Sequence, residues 1–148
     1  MSTPSERDRA ENEPGTADAD PDRAGIAPHA TEIDLDPAEI DLDPTVVADW
    51  LARDPDLQIV DVREVYEREA GHIAGSRHIE LVELSARAGE LDGERPVVFY
   101  CRVGARSGMA AQAFRASGLR AHSMRGGLLE WVRQGRPLAP ADGSVADH

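Results

Sequence analysis

The chain has 148 residues, enough for one domain with extensions, and a formal charge of −12 at pH 7. Residues 1–44 hold 13 Asp and Glu against 3 Arg, and residues 45–148 hold 15 against 13, so the acidity belongs to the N-terminal segment. No run approaches the roughly 18 apolar residues of a membrane span. No basic stripe invites nucleic acid, and MSTPSERDRAENEPG lacks an apolar leader core. A single cysteine, Cys101, cannot close an internal disulfide. A reducing, cytoplasmic setting is therefore expected, without membrane or nucleic-acid partners.

In chain order, residues 1–31 are rich in Glu, Asp, Pro, Ala, Gly and Ser. They lack the large apolar groups that would offset ordering entropy, so an acidic, disordered tail is expected. A tandem repeat follows, EIDLDPA at 32–38 and EIDLDPT at 39–45, of which one copy supplies a short first strand. Asp43 caps a helix with Pro44 at its first position, and Val46, Val47, Trp50 and Leu51 form its apolar face. Leu57–Val62 reads as a buried strand, Glu64–Ala70 as a short charged helix stopped at Gly71, and Arg77–Ile79 as a brief strand. Leu81, Leu84, Ala88 and Leu91 mark a helix face.

Pro96–Tyr100 is a core strand, and MAAQAFRASG after the next loop is a helix. Leu119–Met124 is a further strand, and Gly126-Gly127 turns into a last helix that buries Leu128, Trp131 and Val132. Strands alternating with helices at these spacings imply an α/β fold with a largely parallel sheet. Residues 139–148 read as a loose tail.

The chemistry concentrates at Cys101. It stands where the core strand runs into Arg102-Val103-Gly104-Ala105-Arg106-Ser107, a Gly-containing basic loop that leads into a helix. Ligands of open α/β sheets bind at the carboxyl ends of the strands. A helix N-terminus offers unpaired N–H groups and a partial positive charge, which favour anions and thiolates. Gly104 permits a positive φ, Arg102 and Arg106 supply planar donors for an oxyanion, and Ser107 is placed to cap the helix. The five histidines show no metal-ligand spacing, so no metal is expected.

These segments resemble the rhodanese family. The resemblance rests on Asp61-Val62-Arg63 with Glu67, on Gly71-His72-Ile73-Ala74-Gly75, and on Tyr100 through Ser107. It also rests on Gly126-Gly127 with Trp131, Gly135 and Pro137, and it covers about residues 32–138. It implies a three-layer fold with a mostly parallel sheet of four to five strands flanked by helices. It implies a sulfurtransferase in which Cys101 is the nucleophile and carries a persulfide. The amides of Arg102, Val103, Gly104, Ala105, Arg106 and Ser107 would cradle the sulfur, with no separate cofactor. The donor would be a small sulfur-bearing anion such as thiosulfate, and the acceptor cyanide, a thiol or a protein.

Asp61, Arg63, Glu67 and His72 are expected to brace the site, with Arg63 and Glu67 pairing across a helical turn. Glu80, where a proline is common in the family, and His78 before it bear on acceptor specificity. A phosphatase is disfavoured because four residues, not five, separate Cys101 from Arg106. A dithiol oxidoreductase is disfavoured because there is no second thiol. The remaining rival is a docking, sensing or sulfur-carrier module for a partner protein. The sequence leaves the oligomeric state open.

Overall fold

The computed structural model describes residues 39–147. The acidic segment 1–31 and the first repeat copy lie outside the described residues, so the disorder expected of the former is not addressed by them. Residues 39–51 and 55–147 belong to one compact unit, and the architecture below is that unit's.

The strands are β1 (Asp41–Leu42), β2 (Gln58–Asp61), β3 (Arg77–His78), β4 (Val97–Tyr100) and β5 (Ala121–Met124). The helices are α1 (Pro44–Arg53), α2 (Val65–Ala70), α3 (Leu84–Arg87), α4 (Ala105–Ala116) and α5 (Gly127–Arg133). The five strands form a single sheet in the order β1-β5-β4-β2-β3, and every pairing is parallel. β4 and β5 are buried at all four of their positions. This is the pattern of strands covered on both faces, and it is why VVFY reads as an uninterrupted apolar run.

Several sequence expectations hold at the level of single groups. The second repeat copy supplies β1. The Asp43 side chain accepts the Thr45 amide at 2.8 Å at the start of α1. That bond, followed by one from Gln134, holds the Asp43 carboxyl below its usual range.

Register sets the two faces. Val60 lies beside Phe99, Asp61 beside Tyr100, and Phe99 beside Ser123. Val97, Phe99 and Cys101 share a core cluster with Ala110, Ala111 and Phe114 of α4 and Leu84 of α3. Within it the rings of Phe99 and Phe114 meet edge to face at 5.0 Å. Val98, Tyr100 and His122 take the opposite face, where the His122 ring meets Trp50 of α1 at 6.0 Å.

From β2 the chain moves outward to β3, whereas from β4 it moves to β5 on the other side. The C-terminal ends of β2 and β4 therefore flank the point where strand order reverses, the usual location of a binding crevice in open α/β sheets. Asp61 ends β2, and Cys101 is the first residue beyond β4.

Three expectations are corrected. The helix anticipated over Leu81–Leu91 is divided into a 3-10 turn at Leu81–Glu83, α3, and a second 3-10 turn at Ala88–Glu90. Gly89 inside that stretch weakens regular helix. Ser107 does not cap α4. The helix begins earlier, at Ala105, because Gly104 takes φ 108° and turns the chain directly into it. Residues 139–147 are not loose. Ala139 and His72 exchange backbone hydrogen bonds at 2.7 and 3.0 Å, and Ser144 N–H donates to Ala70 O at 2.8 Å.

Candidate active site

The Cys101 side chain is buried, with no exposure. The Gly104 amide donates to its Sγ at 3.0 Å, and the Ser107 hydroxyl lies 3.5 Å away. Ala105, Arg106 and Ser107 form the first turn of α4, where amides have no intrahelical acceptor. The first helical bond of this end runs from Gly108 N–H to Gly104 O at 2.9 Å. The loop thus sets the Gly104 amide against the sulfur at the N-terminus of α4, an arrangement that stabilises negative charge.

The outer wall of the loop is fixed by α5. Leu128 N–H donates to Cys101 O at 2.8 Å, and Leu129 N–H to Arg102 O at 3.0 Å. Gly127, at φ 62°, is required for this approach. A Cβ on it would lie 2.6 Å from Cys101 O and collide with the Arg102 carbonyl as well. The Gly126-Gly127 pair is therefore part of the site's construction, a role its reading as a turn into a helix did not disclose.

The two loop arginines differ. Arg106 donates from both Nη atoms to Glu67, at 2.8 and 2.9 Å, and Glu67 is fully buried. These bonds raise the Arg106 pKa despite partial desolvation. Glu67 also accepts the Glu64 amide at 3.0 Å, closing a capping box on α2. Among the described residues Arg102 makes a loose pair, 3.5 Å from an Asp147 carboxylate that is itself fully exposed. Its buried Nε has no hydrogen-bond partner among the described residues. Val103 is half exposed at the rim.

Behind the loop lies a buried polar network. Arg63 donates to both carboxylate oxygens of Asp61 at 2.8 Å and to Gly71 O at 2.7 Å. The anticipated Arg63–Glu67 pair is thus replaced by Arg63–Asp61, because Arg63 precedes α2 and is not on its surface. Burial opposes the Arg63 charge, but the hydrogen bond and charge of Asp61 outweigh it, and its pKa is raised. Arg68 reaches Asp61 at 3.4 Å and Ser76 O at 2.7 Å.

The Tyr100 hydroxyl accepts the Ile73 amide at 3.0 Å and lies 3.3 Å from Asp61 Oδ2. Burial, then the Asp61 charge, push the Tyr100 pKa up. His72 pairs through Nδ1 with Arg68 O at 3.3 Å, and His78 through Nε2 with Arg63 O at 2.7 Å. The structure thus brings Cys101, Gly104, Arg106, Ser107 and Glu67 together and places Asp61, Arg63 and His72 one layer behind. Tyr100, Arg68, Ser76 and Ser123 were not anticipated as parts of this assembly. Ser123 carried a signal, a polar residue inside an otherwise apolar strand.

Among the described residues no three His, Cys, Asp or Glu side chains are grouped to hold a metal, and no helix is long and apolar enough to cross a membrane.

Known proteins resemble the chain in both sequence and fold. It is 43% identical over 75 residues to YqhL, an uncharacterized protein of Bacillus subtilis, a match covering 50% of this chain and 60% of that one. The chain therefore spans less than two thirds of that relative's length. It is 34% identical over 94 residues to a sulfurtransferase of Allochromatium vinosum, covering 63% of this chain and 88% of that one. A crystal structure of a rhodanese-related protein from Thermoplasma volcanium superposes with a TM-score of 0.61 at 27% identity, covering 68% of this chain and 97% of that one. The family profile described as "Rhodanese-like domain" matches residues 43–134, more than half of the chain, and the chain belongs to the rhodanese-like family.

Proposed function

We propose that the chain is a sulfurtransferase that works through Cys101. The observation that carries this reading is the Cys101 sulfur held by the Gly104 amide at the N-terminus of α4, in a loop with four residues between Cys101 and Arg106. Such a ring suits a single sulfur atom better than a phosphoryl group.

In the first step the Cys101 thiolate attacks the outer sulfur of thiosulfate. A Cys101 S–S bond forms, the S–S bond of thiosulfate breaks, and sulfite leaves with the electron pair. In the second step an acceptor nucleophile takes the outer sulfur and returns the thiolate. Cyanide gives thiocyanate, while a thiol on a small molecule or a protein gives a new persulfide. The carried group is covalent, so the cycle needs no further cofactor. A persulfide is anionic at neutral pH, and the loop dipoles stabilise it without a base. Arg102, whose ion pair among the described residues is with an exposed carboxylate, is the guanidinium placed to meet the donor anion. A reducing cytoplasm keeps the thiol available.

A second reading is favoured by the full burial of Cys101 and the engagement of Arg106 with Glu67. In it the chain takes sulfur from a partner protein and serves as a carrier or docking module.

Intact-protein mass spectrometry after incubation with thiosulfate, without reductant, tests both. The wild type is expected to gain one sulfur atom and lose it on addition of cyanide, while Cys101→Ala gains none. Equal gain in the variant sinks both readings. No gain in the wild type from thiosulfate, with gain from a persulfidated protein donor, selects the carrier.

A further inference from the structure

We infer that Ser123, on β5, is a positioning residue for the sulfur centre, acting through Ser107. The inference rests on Cys101 being the reactive thiol. Ser107 and Ser123 are both buried, and their hydroxyl oxygens lie 2.7 Å apart. A hydroxyl has one proton to donate and two lone pairs to accept with. The Ser107 hydroxyl has three acceptors within reach: Ser123 Oγ at 2.7 Å, Gly104 O at 3.3 Å and Cys101 Sγ at 3.5 Å. The Ser123 hydroxyl has one polar neighbour among the described residues, Ser107 Oγ.

Proton counting then fixes the direction. If Ser107 donated to Ser123, the Ser123 proton would be buried with no acceptor, a loss of the kind that folded proteins avoid. If Ser123 donates to Ser107, both protons are placed. The Ser107 proton is left to choose between Gly104 O and Cys101 Sγ. A neutral thiol leaves it on the carbonyl, while a negative sulfur draws it across, because hydrogen bonds to charged acceptors are the stronger ones. Register makes this possible. Ser123 is opposite Phe99, on the sheet face that also carries Cys101, so the hydroxyl relay enters from the strand and not from solvent. Donation by Ser123 also polarises the Ser107 hydroxyl as a donor.

The test uses the full chain and the rate of Cys101 alkylation by iodoacetamide at neutral pH, together with the ultraviolet absorbance of the thiolate. Alkylation needs a reachable thiolate and no carried sulfur, so the rates stand whether or not Cys101 carries sulfur in turnover. Ser107→Ala is expected to slow alkylation about tenfold, and Ser123→Ala about threefold, each with a matching loss of thiolate absorbance. The double variant should be no slower than Ser107→Ala alone, since Ser123 acts through Ser107.

Ser123→Thr, which keeps the hydroxyl, should restore the rate, while the similarly shaped Ser123→Val should not. The Thr and Val pair carries the test if Ser123→Ala does not fold. A loosened core would speed alkylation by exposing the thiol, the opposite of the expected change. A wild-type or faster rate in Ser123→Ala, an additive double variant, or equal rates for Thr and Val would each overturn the inference.

Discussion

Tyr100 and Cys101 are neighbours in the chain and strangers in their surroundings. Alternation along β4 sends Tyr100 to one face of the sheet and Cys101 to the other. The Tyr100 face holds a charged cluster of Asp61, Arg63, Arg68 and Ser76 in which both Asp61 oxygens are engaged. The groups hydrogen-bonded at Cys101 are dipoles, the Gly104 amide and the Ser107 hydroxyl backed by Ser123, while the Arg106 charge of the same loop is taken up by Glu67. The difference is informative because Tyr100 and Cys101 are themselves equally buried. Buried charges persist where opposite charges compensate them. A sulfur that changes from thiol to thiolate to persulfide, as we propose for Cys101, has no fixed charge to match. Amides and hydroxyls suit it better, because they stabilise an anion without destabilising the neutral form by a full opposite charge. One face is held by buried ion pairs, and the other surrounds the thiol proposed to react.

The largest effect that would break this division is expected at Asp61. Asp61→Ala leaves the Arg63 guanidinium fully buried without its carboxylate, which costs about 3–5 kcal/mol in buried ion pairs. Urea denaturation should show that loss. Folded molecules at low temperature should keep Cys101 alkylation within about twofold of wild type, since Asp61 touches Tyr100 and not the sulfur. A stability loss under about 1 kcal/mol, or a collapse of thiol reactivity in folded protein, would show that the two faces are not separate.

Arg106 is the residue that joins the regions, since it belongs to the cysteine loop and holds Glu67 of α2. Arg106→Ala should cost about 2–3 kcal/mol, less than Asp61→Ala because Arg106 is one fifth exposed. Most of that cost is the buried Glu67 carboxylate losing its two guanidinium bonds. Adding Glu67→Ala should therefore recover part of it, a coupling that a double-mutant cycle measures directly. Arg102→Ala, by contrast, should leave stability within about 0.5 kcal/mol and raise the KM for thiosulfate. If Arg106→Ala raises that KM with no loss of stability, Arg106 is a substrate residue and its pairing with Glu67 is incidental.

The contrast between the faces also shows what was legible in the sequence. VVFY could be read as a core strand because burial on both faces removes the usual alternation, and Gly104 marked the turn because few other residues take φ 108°. The cysteine loop is local, and local patterns carry over. The partner of Arg63 was misread because a four-residue spacing to Glu67 suggests a helical pair. Yet α2 starts only at Val65, and Arg63 folds back two residues onto Asp61. The C-terminal segment was misread for a different reason. Its anchors are the backbone groups of His72 and Ala70, and composition says nothing about a nonlocal bridge. Ser107 was seen as a cap because it precedes the apolar stretch of α4, but helix onset was set by Gly104, three positions before Ser107. For Arg63 and Ser107 the sequence marks the residue but not its partner, because partners are fixed by tertiary packing.

The smallest expected effect concerns pH and lies beside the hydroxyl pair but across the sheet. His122 is next to Ser123, 4% exposed, and packs edge-on against Trp50. Burial lowers its pKa from 6.5, and Arg115 and Arg120 add to that. The Glu39 carbonyl, 2.7 Å from Nδ1, and the Glu39 charge work the other way without prevailing. The folded state thus binds the proton less readily than the unfolded chain. Well above pH 6.5 the His122 titration leaves stability independent of pH. As pH falls through that value the unfolded state takes up the proton first, and stability declines until the folded-state pKa is passed. One such group sets a slope of at most about 1.4 kcal/mol per pH unit. His122→Phe keeps a ring against Trp50 and removes the titration, so its stability should fall less steeply than that of wild type in urea denaturation between neutral and mildly acidic pH. Alkylation of Cys101, corrected for its ordinary pH dependence, should not distinguish the two proteins. Identical slopes would mean that His122 titrates alike in the folded and unfolded chains. A slope difference that also appears in Cys101 alkylation would mean that charge on one face of the sheet is felt at the sulfur on the other.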